Sequence, residues 1–108
     1  MRVKTNLWVS AEIRRCETCF ISAVIVFKGD AERGLVLLKH NLIGQGFKIL
    51  TQSHDMDGNL NWVYPLGDEL LDEQRADQYI TRQRKFDEDL WVIEIDDPKG
   101  HYGPLNNK

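Results

Sequence analysis

Apolar side chains recur at steps of four, three and four in Val9, Ile13, Cys16 and Phe20, while Glu12, Arg14, Arg15 and Glu17 fall elsewhere on the wheel. That spacing predicts an amphipathic helix over residues 7–19, with Thr5 or Asn6 as its N-cap. The run Ile21–Phe27 is β-branched and aromatic and too short for a helix of its own, so it reads as a strand. A turn over Gly29–Gly34 leads to a second apolar strand, Leu35–His40, and the closeness of the two predicts an antiparallel hairpin. Phe47–Ser53 and Leu60–Tyr64 flank Asp57-Gly58, a strong hairpin signal. With those two residues at the centre of the turn, Ser53 faces Trp62 and Thr51 faces Tyr64, and Ile49, Thr51, Trp62 and Tyr64 share one face.

Helix formers dominate from Asp72 to Lys85, with Ala76, Tyr79, Ile80 and Gln83 spaced for an inward face and Asp72 or Asp68 as N-cap. Trp91, Ile93 and Ile95 alternate with Val92 and Glu94, the pattern of a strand covered on one face. Trp91 and Trp62 are expected in the core. The expected fold is α+β, a small two-layer sandwich with a mainly antiparallel sheet of about five strands and two helices, in the order α-β-β-β-β-α-β. Residues 1–97 are expected to form one domain, and residues 98–108, with two prolines and two glycines, a flexible C-terminal tail.

Composition narrows the class. Hydrophobic residues at 42% and charged residues at 29% are ordinary for a globular domain and argue against disorder and fibrous classes. The apolar run Cys19–Phe27 is far shorter than the roughly 20 residues that span a bilayer. The patch Leu7–Val9 is broken by Glu12, Arg14 and Arg15 before it can serve as a signal-peptide core, so the chain is expected in the cytoplasm, with no membrane partner. The net charge of −3 conceals a basic first half and an acidic second half: residues 1–48 hold eight Lys/Arg and four Asp/Glu, residues 49–108 six and thirteen. An acidic balance argues against a nucleic-acid-binding domain.

Three stretches carry a family likeness. They are Leu7-Trp8-Val9-Ser10-Ala11 followed by Ile13-Arg14-Arg15, then Lys28-Gly29-Asp30 with Gly34, and then Arg82–Asp87 running into Asp89–Ile95. Together they resemble a family of small, mainly alphaproteobacterial proteins, domain of unknown function 1491. The likeness runs along nearly the whole chain and departs at Glu88, where the family more often has proline, and in the tail after Asp97. It implies a compact bacterial α+β domain and brings no activity, so it assigns no functional residue.

Several residues have the chemistry for a site. Cys16-x-x-Cys19 spans one helical turn, a spacing at which two thiolates can grip zinc or close a disulfide. No second such pair accompanies it, and Cys16 lies in the apolar stripe, which favours two reduced packing residues. His40, His54 and His101 fall at a strand end, a loop and the tail, with nothing to gather them. Asp55–Asn59 lacks the glycine and terminal glutamate of a calcium loop and is better read as a hairpin turn. Asp87 and Asp89 with Glu94 and Asp96 could assemble carboxylates, against the plainer expectation that Asp87 ends a helix and the others keep a sheet face soluble. No Gly-rich phosphate loop, Gly-x-Ser-x-Gly elbow or His-Glu-x-x-His helix occurs. No metal or other cofactor is expected.

The densest basic groups are Arg14 and Arg15 on the first helix and Arg82, Arg84 and Lys85 at the end of the second. If both helices lie on one sheet face, the five form a surface for an anion or an acidic partner. The chain therefore reads foremost as a non-enzymatic protein-binding or adaptor module, able to form a homodimer through its opposite charges. The alternative is a small enzyme or nucleic-acid-processing factor that uses the arginines with the carboxylates near Asp87.

Overall fold

A computed structural model describes residues 3–105; the last three residues of the expected tail lie outside the described residues. The elements are α1 (Thr5–Thr18), β1 (Ser22–Phe27), β2 (Val36–Leu42), β3 (Gly46–His54), β4 (Leu60–Val63), α2 (Glu73–Phe86) and β5 (Trp91–Asp96). The α+β class, five strands, two helices and their order along the chain are those read from the sequence.

The sheet order is β1-β5-β2-β3-β4. β5 pairs antiparallel with β1 and parallel with β2, so the hairpin expected between β1 and β2 does not form. The reason lies in β5 itself: Trp91, Ile93 and Ile95 are buried on one face and Val92 on the other, and a strand apolar on both faces belongs inside the sheet. The loop from β1 to β2 must then cross the entrance of β5. Asp30 N–H donates to Asp89 O, and a Cβ at Gly29 would stand 2.1 Å from that same oxygen. The loop glycines thus permit a close crossing rather than a tight turn.

Alternation along the strands builds two cores. Val36, Leu38, Leu50, Trp91, Ile93 and Ile95 pack with Trp8, Val9 and Cys16 of α1. Leu37, Ile49 and Val92 pack with Ala76 and Ile80 of α2. The helices therefore cover opposite faces, and the sheet lies between them where two layers were expected. Trp91 is buried as expected; Trp62 is half-buried, with its ring 5.5 Å from Trp8.

Two local differences have plain causes. Asp55 Oδ1 accepts from the amides of Asp57 and Asn59, so the β3–β4 loop spans residues 55–59 and Gln52, not Ser53, faces Trp62. Trp62 accordingly joins Leu50 on the α1 side instead of Ile49 on the α2 side. At the start of α1 no side chain caps the helix; the amides of Thr5 and Asn6 donate to the carbonyls of Glu32 and Ala31 in the crossing loop, while Thr5 Oγ1 donates to Gly34 O. Asp72 caps α2 as read from the sequence, accepting from Arg75 N–H.

Candidate functional site

The sheet separates the two basic groups. Arg14 and Arg15 sit on α1, Arg82, Arg84 and Lys85 on α2, on opposite faces, so the five cations do not form one surface. Arg15 is committed to the fold: its Nε and Nη2 donate to Glu12 at 2.7 and 2.9 Å, and Nη2 also reaches Gly103 O. Arg84 lies over the ring of Phe27, 3.4 Å from its centroid. Arg82 and Lys85 line a shallow depression along α2 that also holds Asp77.

The other sequence candidates disperse. His54 and His101 are exposed at separate places, Asp87 accepts from Asp89 N–H at the end of α2, and Glu94 pairs with Lys39 at 3.4 Å. Cys16 is buried and Cys19 exposed, both free thiols. Burial, with the Glu12 charge adding to it, pushes the Cys16 thiol up to about 11, which keeps it protonated and unreactive at neutral pH.

Polar burial that the sequence pattern did not announce includes a cluster under residues 98–105. Glu12, 1% exposed, accepts from Arg15, from the Tyr102 hydroxyl at 2.7 Å and from Leu105 N–H at 3.1 Å. Trp8 Nε1 donates to Leu105 O. Asp97 Oδ2 lies 2.9 Å from His40 Nε2, and Asp97 accepts from the amides of His101 and Tyr102. His40 Nδ1 is buried with no hydrogen-bond partner among the described residues. Within residues 98–105, Tyr102, Gly103 and Leu105 thus contact side chains of α1 up to 97 positions away. The i,i+3 spacing of Glu12 and Arg15 was the one local signal of this cluster.

A cavity of about 350 Å³ opens beside the cluster, with Cys16, Cys19, Phe20, Asp97, His101 and Tyr102 in its wall. Three of its wall residues are already committed. Asp97 holds two amides and His40, Tyr102 donates to Glu12, and Cys16 is a protonated thiol. The arrangement organises the C-terminal segment.

What remains unsatisfied is a surface. β1 is an outer strand, and Val24, Ile25, Val26 and Phe27 are all exposed. It carries neither proline nor a charged side chain, and a register shift between Ile25 and Phe27 is its one irregularity. Edge strands of monomeric proteins are usually blunted by charge, proline or shortness, because their outward amides and carbonyls template pairing. The opposite edge, β4, has only four residues.

Phe20 stands at the entrance to β1. The amide of Ile21 donates to Cys16 O and that of Phe20 to Glu17 O, the two bonds of a Schellman ending for α1. That ending places Phe20 at φ 59°, a conformation glycine adopts freely and a bulky residue adopts at a cost of about 1 kcal/mol or more. Its side chain is 95% exposed, so the strain gains no internal packing. A second aromatic, Phe86 at the end of α2, is 81% exposed.

No helix among the described residues is long and apolar enough to cross a membrane. No protein with a curated description matches the chain. A family model described as protein of unknown function (DUF1491) matches residues 3–103. The crystal structure of a DUF1491 family protein from Caulobacter crescentus CB15 superimposes with a TM-score of 0.82 at 33% identity, covering 92% of each chain. An NMR structure of a DUF1491 family protein from the same organism gives 0.85 at 31% identity, covering 98% of this chain and 96% of that one. The solution structure of protein Atu0922 from A. tumefaciens, at 23% identity, shares the fold with a TM-score of 0.77 over 99% and 92% of the two chains. Residues 3–103 carry the crossing loop, both cores and the exposed edge alike, and over that span the chain belongs to the DUF1491 family.

Proposed function

We propose that this chain is a non-enzymatic protein-binding module that receives an extended segment of a protein partner on the free edge of β1. The observation that carries the proposal is Phe20: an aromatic side chain held in a left-handed conformation, 95% exposed, beside an uncharged apolar edge strand. Strain at a residue whose side chain is 95% exposed points to a contact outside the fold. Main-chain hydrogen bonds along β1 would supply affinity, and Val24, Phe27 and Phe20 would supply the apolar contacts. Two free cysteines suit a reducing compartment, and the cytoplasm is the location we propose.

The test is a photo-crosslinking amino acid placed at Phe20 in the native cell, with the same group at Met56, fully exposed in the β3–β4 loop, as control. A discrete adduct from position 20 and none from position 56 is expected. Equal, diffuse labelling from both positions, or none, would contradict the proposal.

A further inference from the structure

Resting on the reading of β1 as the binding edge, we infer that the occupant of that edge is β1 of a second copy of this chain, paired antiparallel about a two-fold axis normal to the sheet. The two ends of β1 differ in a way that suits this pairing. At its N-terminal end Ser22 lies opposite Asp96 and Val24 opposite Glu94, so the neighbouring strand places two carboxylates there, of which Glu94 is already paired with Lys39. At its C-terminal end stand Phe27, the guanidinium of Arg84 above it, and Lys28. Antiparallel pairing lays Asp96 of each copy toward Arg84 and Lys28 of the other, twice, as an isologous interface requires.

The faces agree as well. Ile93 and Ile95 face α1, so their partners Ile25 and Ala23 do too; Val92 and Glu94 face α2, and so do Phe27 and Val24. A two-fold normal to the sheet keeps both α2 helices on one side, which leaves Arg84 of each copy on the same face as Glu94 and Asp96 of the other. It also brings Phe20, just before one β1, to the end where the other β1 carries Phe27. The exposed apolar side chains of the edge are then covered by their own counterparts, in one continuous ten-stranded sheet made of two five-stranded ones.

Sedimentation of the full chain from about 1 μM to about 1 mM should show a monomer passing to a dimer with no larger species, because a closed two-fold interface consumes the β1 edge of both copies. Val24→Lys, a charge on an exposed edge position, should leave the monomer folded and shift association by about a hundredfold or more. Phe20→Gly should weaken association by about tenfold while melting no lower than the wild type, which separates loss of contact from loss of fold. A wild-type monomer throughout, or a dimer indifferent to both substitutions, would overturn the inference. If the wild type is monomeric and the crosslinker at Phe20 still captures another protein, the second copy is wrong and the binding edge stands. Failure of both measurements removes the edge reading itself.

Discussion

Tyr102 donates its hydroxyl proton to Glu12 across 90 residues of sequence at 2.7 Å, joining the C-terminal segment to the middle of α1. Glu12 is almost wholly buried, so each of its donors helps keep a carboxylate away from water. Burial and the bond to Glu12 both hold the Tyr102 phenol well above its ordinary value, so it remains a donor. Tyr102→Phe should cost about 1.5–3 kcal/mol, the range for a hydrogen bond to a charged group. Urea unfolding with an unchanged m-value checks this; a loss below about 0.5 kcal/mol would show that Arg15 and the Leu105 amide suffice alone.

Asp97 gives the fold an acid limit. Burial alone would raise its carboxyl, but bonds from the Tyr102 amide, His40 and the His101 amide outweigh burial and lower it. A group depressed on folding contributes stability above its unfolded value, about 3.9, and loses it as pH falls through the lower folded value. Stability should therefore decline from about pH 4 downward. In Asp97→Asn the domain should be weaker at neutral pH, with a shallower decline in acid, measured by urea melts at a series of pH values.

Lys39 is a buried cation inside an apolar strand, 7% exposed at its side chain, with Glu73, Asp77 and Glu94 at 2.7, 2.9 and 3.4 Å. Burial would lower its ammonium, yet the bonds to Asp77 and Glu73 outweigh that and raise it, so it stays charged. Lys39→Ala should cost about 2–3 kcal/mol, less than the roughly 3–5 of a wholly buried pair, because Glu73 and Asp77 are half-exposed and can rehydrate. A double-mutant cycle with Glu94→Ala should show coupling of about 0.5 kcal/mol or more. Additivity would mean that Glu94 does not share the cluster.

Helix spacing, the Asp72 cap, the β3–β4 hairpin and the apolar phase of β5 were legible because each is set by neighbours a few residues apart. The place of β5 between β1 and β2 was not, since a short apolar run does not say which strand it will join, and adjacency in sequence favoured a hairpin that β5 displaces. The basic residues were readable as groups, but whether they converge depended on which sheet face each helix covers. The burial of Glu12, His40, Lys39 and Asp97 was not legible, because the partners that bury them, Leu105, Asp97 and Glu73 among them, lie 34 to 93 residues away. Phe20 was placed on the buried stripe by its spacing. The helix ends two residues earlier, and the turn into β1 swings its side chain outward.

The strain at Phe20 has a signature of its own. Phe20→Gly relieves a left-handed phenylalanine at the cost of a looser unfolded chain, for a net gain of about 0.5–1 kcal/mol and a few degrees in Tm. Calorimetry on dilute protein, where association does not contribute, is the appropriate measurement. A fall in Tm would mean that the side chain packs within its own chain after all.

This domain is proposed to meet protein at β1 and not at the β4 edge of the sheet. Backbone amide hydrogen exchange tests it directly, by comparing the dilute chain with the chain in its associated state, whether a self-pair or the complex captured through Phe20. The expected result is slowed exchange at the outward amides of Ser22–Phe27, with Leu60–Val63 on the β4 edge unchanged as the internal control. Protection that appears on β4 instead, or on neither edge while association proceeds, would contradict it.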